Sequence, residues 1–336
     1  METPTEKEAR EHVLELSRAY IVSRALHVAA ELGVADHVGD TPVHVSRLAA
    51  ATSCRPELLE RIMRLLASHR VFSETSPGEF VATPFSNALR SDAPSSLRPG
   101  LMMVNAVWWA AVGDVGHSVR TGETAFTFRQ SEPFFAYLKD HPADQATFDA
   151  GMAANSRASD QAIAAAYDFS GAKSFVDVGG GRGGLVRAIL ERWPNVRGVL
   201  FDQPQVVAQS VIPSEGPIAV RCDVRGGDFF GEIPSGADVY VIKGVLHDFD
   251  DARCAAILAS CRRAMTPQSK LLVVERTVLP DNRPHQAKTI DVLMMALLGG
   301  KERHVGEWKT LLEKTGLALA RELSTESEFT IFECRA

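Results

Sequence analysis

The chain has 336 residues, of which 45% are hydrophobic and 23% are charged, and it carries a formal net charge of −6 at pH 7. This length predicts two domains, and the negative charge argues against general binding to nucleic acid or to anionic membranes. The polar, acidic start predicts no signal peptide, and no apolar run is long enough to predict a transmembrane helix. Five widely spaced cysteines without a Cys-x-x-Cys pair predict reduced thiols and a cytoplasmic protein.

Residues 8–92 are predicted to be mainly helical, with a winged-helix pattern inside them. A short helix is expected at 45–51, a second begins at Pro56, and a hairpin is expected from Val71-Phe72 and Phe80-Val81. Helix, turn, helix and hairpin suit either DNA binding or packing and dimerisation. Glutamates alternate with arginines on the second helix, so the pattern favours packing and dimerisation over DNA binding.

Residues 100–165 form a second helical stretch that is rich in aromatic side chains and methionines. Most of these side chains are expected in the core, but Trp108-Trp109 and Phe126-Thr127-Phe128 also supply the apolar walls that a flat substrate requires. The predicted organisation is therefore a winged-helix domain at 1–99, a helical linker at 100–165 that contributes to the substrate pocket, and a catalytic domain at 166–336.

A glycine loop after the apolar run at 175–178 is the most informative motif, with five glycines among residues 179–184. Strand, glycine turn and helix together begin a nucleotide-binding α/β domain. Asp202 ends the next apolar run, where a carboxylate can bind ribose hydroxyls. Asp177 leads directly into the glycines, and its charge would repel the pyrophosphate of NAD. The same charge suits the amino group and sulfonium of S-adenosylmethionine, so the loop favours this cofactor over NAD.

From residue 172 onward, apolar runs alternate with helical patterns. Strands are predicted at 174–178, 197–202, 218–222, 238–243, 270–276, 317–323 and 328–334, and helices at 183–193, 204–211, 250–265, 284–298 and 304–315. The short link between the last two strands predicts an antiparallel pair. The predicted fold is thus an α/β, Rossmann-like domain with a mostly parallel seven-stranded sheet that ends in an antiparallel hairpin. This ending departs from the dinucleotide-binding fold and fits its methyltransferase variant.

The candidate catalytic residues follow successive strands. His247 comes just after the strand at 238–243, at the carboxyl edge where open α/β sheets bind ligands. An imidazole can take a proton from a hydroxyl near neutral pH, and the carboxylates of Glu275 and Glu302 can orient it. The alternative for His247 is a capping or loop role.

Two other histidines, His285 and His304, are rival bases, for which surface or substrate-rim roles are expected. Asp250 and Asp251 are expected to cap the helix that follows His247.

Five segments together resemble the small-molecule O-methyltransferases of the plant caffeate type and of the bacterial polyketide and phenazine type. These segments are 177–181, 201–204, 227–230, 246–251 and 299–303, and the resemblance covers nearly the whole length. It implies S-adenosylmethionine as methyl donor, S-adenosylhomocysteine as product and no metal. It also implies a small aromatic acceptor, phenolic or polyketide-like, and a homodimer formed through the winged-helix domain.

The resemblance also implies roles for individual residues. His247 is the expected general base, bracketed by Glu275 and Glu302. The glycines at 179–181 contact the methionine part of the cofactor, Asp202 binds its ribose, Asp228 and Phe229 flank its adenine, and Lys243 also reaches that end. The implied cofactor set is Asp177, Gly179, Gly181, Asp202, Gln203, Asp228, Phe229 and Lys243. The implied substrate set is Trp108, Phe128, Met152, Asn155, Asp248, Met294 and Leu298.

Two alternatives stay open at this point. One is that this chain has the same fold and binds the cofactor but methylates carbon or nitrogen, or transfers no methyl group at all. The presence of His247 favours methylation of oxygen. A ligand-sensing regulator built on the winged helix is the other alternative, and the mixed charge of the second helix argues against it. The sequence leaves the acceptor and its site of methylation open.

Overall fold

The computed structural model describes residues 5–336, which divide into two compact units after Met103. No helix in this range is long and apolar enough to cross a membrane. The five cysteines are all free. From Val104 onward, the helical stretch predicted as a separate linker at 100–165 lies within the second unit.

The first unit is helical with a small sheet of strand order β1-β3-β2. Its elements are α1 (Glu6–Glu31), β1 (Val43–His44), α2 (Val45–Ala51), α3 (Pro56–Ser68), β2 (Ser73–Ser76), β3 (Glu79–Val81), α4 (Pro84–Asn87) and α5 (Arg98–Met103). Leu59, Met63 and Leu66 of α3 pack into its core with Phe72 and Phe80. The two helices and the hairpin of the winged-helix prediction are therefore present.

The predicted hairpin strand at Val71-Phe72 is wrong, because the strand is β2, which begins at Ser73. Phe72 is buried in the core just before this strand. β2 itself carries the polar sequence Ser-Glu-Thr-Ser and lies at an edge of the sheet. Polar edge strands lack the apolar pattern on which sequence-based assignment depends.

The second unit begins with five helices and continues as an α/β domain. The helices are α6 (Ala106–Gly113), α7 (Val115–Thr121), α8 (Ala125–Gln130), α9 (Phe134–Asp140) and α10 (Pro142–Ala166). The α/β elements are β4 (Ser174–Val178), α11 (Gly184–Arg192), β5 (Arg197–Asp202), α12 (Pro204–Val207), β6 (Cys222–Gly226), β7 (Val239–Lys243), α13 (Asp251–Ala264), β8 (Lys270–Arg276), α14 (Gln286–Leu297), α15 (Val305–Lys314), β9 (Ala318–Ser324) and β10 (Phe329–Arg335).

The seven-stranded sheet has the order β6-β5-β4-β7-β8-β10-β9. Its first five members pair in parallel, and β10 pairs antiparallel with both β8 and β9. The predicted mostly parallel sheet with a final antiparallel hairpin is therefore confirmed. Strands that follow β4 in the chain lie on both of its sides, so the carboxyl ends of β4 and β7 flank a topological switch point, where open α/β sheets bind ligands.

Two of the predicted elements are wrong in position or length. The strand predicted at 218–222 is β6 at Cys222–Gly226, and a turn of 3₁₀-helix occupies Ala219–Arg221. The Arg221 guanidinium fixes this turn by donating to the carbonyls of Leu190, Trp193 and Val196. The helix predicted at 204–211 ends at Val207. The chain then turns away from the helix axis, and the Val211 N–H donates to the Arg182 carbonyl at 2.8 Å.

Candidate active site

The loop between β4 and α11 needs glycine for its conformation and for space. Gly179, Gly181 and Gly183 have φ of +71°, +59° and +91°, values that strain other residues. A Cβ on Gly179 would lie only 2.8 Å from Cγ2 of Val245. The loop is anchored by the N–H of Gly179, which donates to the Phe201 carbonyl at 2.8 Å. It therefore presents bare backbone at the carboxyl edge of the sheet.

Asp202 is fixed at the end of β5 by two backbone donors. Its Oδ2 accepts from the Gly181 N–H at 2.7 Å, and its Oδ1 accepts from the Gln203 N–H at 2.6 Å. Burial raises the pKa of Asp202, although these two N–H groups oppose the shift. The carboxylate and the glycine loop thus hold each other in place.

Asp177, Asp160 and Lys243 form a buried group of titratable side chains behind this loop. Burial, with the Asp160 carboxylate nearby, raises the pKa of Asp177 to about 8, and its Oδ2 has no hydrogen-bond partner. The Lys243 ammonium, which the resemblance assigned to the adenine end, contacts the Asp160 carboxylate at 2.5 Å. A Cβ on Gly184, the first residue of α11, would lie 2.5 Å from Oδ2 of Asp160. Lys243 is therefore paired with α10 at the point where α10 packs closely against the start of α11.

A cavity of about 1130 Å³ lies at this edge of the sheet, and all eight residues of the predicted cofactor set line it. On another part of its wall are Phe135, Phe148 and Met152, from α9 and α10. Pockets for one small ligand usually measure about 300–1,000 Å³. The cavity therefore has room for a nucleotide-sized cofactor together with a small aromatic molecule.

His247 lies in a 3₁₀ turn just after β7 and is held by two carboxylates. Its Nδ1 lies 2.9 Å from Oε2 of Glu275, and its Nε2 lies 3.2 Å from Oδ1 of Asp248. The other oxygen of Glu275 accepts from the N–H groups of Val245 at 3.0 Å and Leu246 at 2.7 Å. An ionised Glu275 so placed assigns the proton of a neutral imidazole to Nδ1. Nε2 is then the atom that exchanges protons.

The electrostatics around His247 favour its charged form. Burial lowers the pKa of His247, but the carboxylates of Glu275 and Asp248 outweigh burial and raise it well above 6.5. Glu302 lies 3.9 Å from Nδ1, and its two oxygens are buried without hydrogen-bond partners. Burial raises the pKa of Glu302 to about 7, partly offset by His247. The imidazole thus has a carboxyl group beside each ring nitrogen and a third one close by.

Two of the seven predicted substrate residues, Met152 and Asp248, line the cavity. The others lie elsewhere. Trp108 is buried edge-on against Phe134, and Phe128 stacks on His117 at 4.0 Å. Asn155 is exposed, Met294 is buried and Leu298 is half-buried, and none of the three is part of the cavity wall.

The rival histidines each stand at the start of a helix. Nδ1 of His285 accepts from the Ala287 N–H at the start of α14. His304 directly precedes α15, and its Nδ1 lies 2.7 Å from the Val278 carbonyl. Asp250 caps α13 as predicted, by accepting from the Arg253 N–H at 2.8 Å. Asp251 instead binds Arg303 at 2.7 Å.

Among the buried charged residues near the site, Asp160 and Arg303 were not predicted as site residues. Asp160 sits inside the polar, alanine-rich α10, where nothing in the pattern distinguishes it from a surface residue. Arg303 belongs to the segment at 299–303, but only its complete burial shows that it acts inside the protein. The sequence feature that came closest to indicating a role for Arg303 is its position directly after Glu302.

Comparisons with known proteins agree with this geometry. Residues 112–318 match the O-methyltransferase domain family, and residues 14–92 match the O-methyltransferase dimerisation domain. The phenazine O-methyltransferase of Lysobacter antibioticus is 43% identical over 324 residues, which cover 96% of this chain and 95% of that protein. The phenazine-1-carboxylate N-methyltransferase of Pseudomonas aeruginosa is 32% identical over 305 residues, 89% of each chain.

A solved structure with a TM-score of 0.81 and 31% identity is that of an O-methyltransferase from neocarzinostatin biosynthesis. The match covers 94% of this chain and 95% of that one, which holds S-adenosylmethionine and 2-hydroxy-5-methyl naphthoic acid. The family uses S-adenosylmethionine and no metal, so the predicted cofactor is confirmed. The chain belongs to the S-adenosylmethionine-dependent O-methyltransferases, as the sequence motifs had indicated.

Proposed function

We propose that this enzyme methylates a hydroxyl group of a small aromatic compound, with His247 as the general base. The observation that carries the proposal is the pairing of His247 Nδ1 with Glu275 at 2.9 Å, which turns Nε2 toward Asp248 on the cavity wall. A hydroxyl that takes the place of Asp248 at Nε2 would give its proton to the ring. Asp248 would then stand beside the acceptor on the cavity wall.

The carboxyl groups around the imidazole would fix its tautomer and stabilise its protonated form. Glu275 keeps the ring in the tautomer with hydrogen on Nδ1 and stabilises the imidazolium once Nε2 is protonated. Glu302, 3.9 Å from Nδ1, would add to this stabilisation when ionised. Bound S-adenosylmethionine would supply a methyl group on a sulfonium: the acceptor oxygen would bond to the methyl carbon as the carbon–sulfur bond breaks, and S-adenosylhomocysteine would leave.

The described residues fit the cofactor. Its site would combine the bare backbone of the glycine loop with the carboxylates of Asp177, Asp202 and Asp228, all on the cavity wall. The unpartnered Oδ2 of the buried Asp177 is the observation that most favours a cationic ligand. Asp202 would hold the ribose, Asp228 and Phe229 the adenine, and Asp177 and the glycines the methionine part.

The acceptor site would lie against α9 and α10, since Phe135, Phe148 and Met152 line the same cavity. Flat rings pack well against such side chains. This supports the prediction that the stretch at 100–165 contributes to the substrate pocket. The other predicted wall residues remain predictions: Trp108, Phe128, Asn155, Met294 and Leu298.

The test is methyl transfer from trideuteromethyl-labelled cofactor to matched aromatic acceptors that carry a hydroxyl or an amino group at the same ring position. Phenols, naphthoates, phenazines and anthraquinones make up the panel, and mass spectrometry with NMR locates the label. We expect one labelled methyl on oxygen and its loss in His247→Ala. Label on nitrogen or carbon, or none on any acceptor despite cofactor binding, would contradict the proposal.

N-methylation is the second candidate, because the Pseudomonas relative carries that activity in its name. A neutral amine is already nucleophilic and needs no base before attack. An N-methyltransferase would therefore methylate the amino member of each pair, and His247→Ala would keep most of its turnover.

The first unit would serve as a homodimerisation domain, in keeping with its match to the dimerisation family. Arg64 of α3 contacts Glu60 and Glu74, and Arg55, directly before α3, contacts Glu57. Such neutralised arginines suit a packing surface better than a DNA-binding one. The enzyme should therefore cause no shift of duplex DNA in a gel.

A further inference from the structure

We infer that Arg303 is a positioning residue, which holds the turn that carries His247 in register with Glu275 and Glu302. This inference rests on the proposed role of His247 as the base. Arg303 is not itself part of the cavity wall, and its hydrogen bonds near the base go to the backbone carbonyls of Leu246 and Phe249, so it would act through the backbone that it binds.

The guanidinium of Arg303 is completely buried and binds both ends of the His247 turn. Nη1 donates to the Leu246 carbonyl at 3.2 Å, and Nη2 donates to the Phe249 carbonyl at 3.0 Å. These carbonyls stand on either side of His247-Asp248. Nε and Nη2 also donate to Oδ1 of Asp251 at 3.0 and 2.7 Å, which supplies the countercharge. One side chain thus fixes the segment before and after the base.

The backbone of Arg303 extends this link to β8, the strand that carries Glu275. The Arg303 carbonyl accepts from the Val278 N–H at 3.1 Å, and Arg303 forms an isolated parallel bridge with Thr277, the residue directly after β8. The neighbouring Gly300 lies so close to the turn that a Cβ there would stand 2.0 Å from the His247 carbonyl oxygen. The segments that hold His247, Glu275 and Glu302 therefore all meet at Arg303.

Lysine cannot reproduce this arrangement. A guanidinium is a planar fork whose N–H groups point at several acceptors at once, whereas an ammonium is a single point charge. The Arg303 guanidinium also lies over the Trp308 ring, 4.9 Å from its centroid. Replacement by lysine keeps the positive charge for Asp251 but leaves buried carbonyls without a donor, so the turn should loosen.

The experiment compares Arg303→Lys with the wild type and with Tyr240→Phe as a matched control. Tyr240 also donates from a buried position to two backbone carbonyls, those of Pro234 and Ala264, but at the opposite end of β7. Arg303→Lys should lower kcat by at least about tenfold and change cofactor Kd by less than about threefold. Tyr240→Phe should leave both quantities near wild type.

A purely structural role would not move the pH profile, so the acid limb of kcat/KM is the second readout. The groups that face His247 are Glu275, Asp248 and Glu302, and Arg276 lies 4.0 Å from Glu302. A loosened turn separates the ring from these carboxylates, so the limb should move down toward the ordinary histidine value. Asp251→Asn, at a mostly exposed side chain, weakens the same link with less risk to folding and should shift the limb in the same direction.

A double variant distinguishes the proposed role of Arg303 from the proposed role of His247 as general base. Adding Arg303→Lys to His247→Ala should cause no further loss of kcat, because the residue acts through His247. A wild-type kcat and pH profile in Arg303→Lys, or losses that multiply in the double variant, would overturn the inference while the proposed base stands. Full turnover in His247→Ala alone would instead overturn the proposed function.

Discussion

At the scale of single residues, the buried position of His247 decides how the enzyme should respond to pH. The identity and strand-end position of His247, Glu275 and Glu302 were predictable, because the carboxyl ends of neighbouring parallel strands meet at one edge. The sequence did not predict the hydrogen bonds that Glu275 accepts from the N–H groups of Val245 and Leu246. Those contacts depend on how the turn folds back over β8.

The pH dependence of kcat/KM follows from this environment. The general base must be neutral, and the carboxylates of Glu275 and Asp248 raise the pKa of His247 well above 6.5. Activity should therefore be lost as the pH falls, with an acid limb above the ordinary value for histidine. The measurement is kcat/KM against pH with an acceptor whose hydroxyl does not ionise in the range. An acid limb at or below the ordinary histidine value would contradict this electrostatic picture.

Asp177 should make the free enzyme less stable as the pH rises. Its pKa is about 8 in the folded state against an ordinary value of 3.8, so between about pH 4 and pH 8 the folded state keeps a proton that the unfolded state has lost. Asp177→Asn removes this titration and should flatten the decline, with a gain of about 1–3 kcal/mol near the upper end. Urea unfolding at several pH values measures it. The exposed Asp223→Asn is the control, and parallel slopes for Asp177→Asn and wild type would refute the assignment.

At the scale of elements, two positions of the glycine loop allow the free-energy cost of backbone strain to be compared with the cost of a steric clash. Gly181 has φ of +59° with open space around its Cβ position, so Gly181→Ala should cost only backbone strain, about 1–2 kcal/mol. Gly179 has a similar φ, but its Cβ would also meet Val245 at 2.8 Å, so Gly179→Ala should cost about 1–3 kcal/mol more. Urea unfolding of the two variants compares these costs. Equal losses would mean that Val245 yields without cost.

Most elements of the sheet were predictable because buried parallel strands are continuous apolar runs, as in β4 and β7. β6 was misplaced by four residues because it is an edge strand with an exposed, polar sequence, Cys-Asp-Val-Arg-Gly. The apolar residues just before it, at 218–220, form a turn instead. Sequence patterns report burial, so they fail where a strand is stabilised by pairing alone.

The sequence also could not show which aromatic side chains at 100–165 line the cavity and which lie in the core. Aromatic richness at 100–165 was visible in the sequence, but a buried aromatic ring looks the same whether it faces the core or a cavity. Trp108 packs with Phe134 and Phe148, whereas Phe148 itself also reaches the cavity wall. Which ring faces the cavity depends on helix orientation, which composition does not determine.

At the scale of the whole molecule, the first unit carries an apolar face that a partner subunit would cover. Val13, Leu16 and Tyr20 lie at helical spacing on α1 and are each more than half exposed. The dimerisation match begins at residue 14 of this helix. Leu16→Glu should therefore convert a dimer to a monomer in sedimentation velocity, whereas Arg18→Glu, on another side of α1, should not. A Leu16→Glu variant that stays dimeric would exclude this face from the interface.

If His247 removes the proton from the acceptor hydroxyl, its loss must slow methyl transfer itself. The measurement is the rate of methyl transfer in a single turnover for wild type and His247→Ala, both saturated with cofactor and with a hydroxyl acceptor found in the panel. General-base catalysis contributes about 10²–10⁴-fold, so the variant should be slower by that factor while its cofactor Kd stays near wild type. A transfer rate within a few-fold of wild type would show that the proton leaves by another route and would contradict the account.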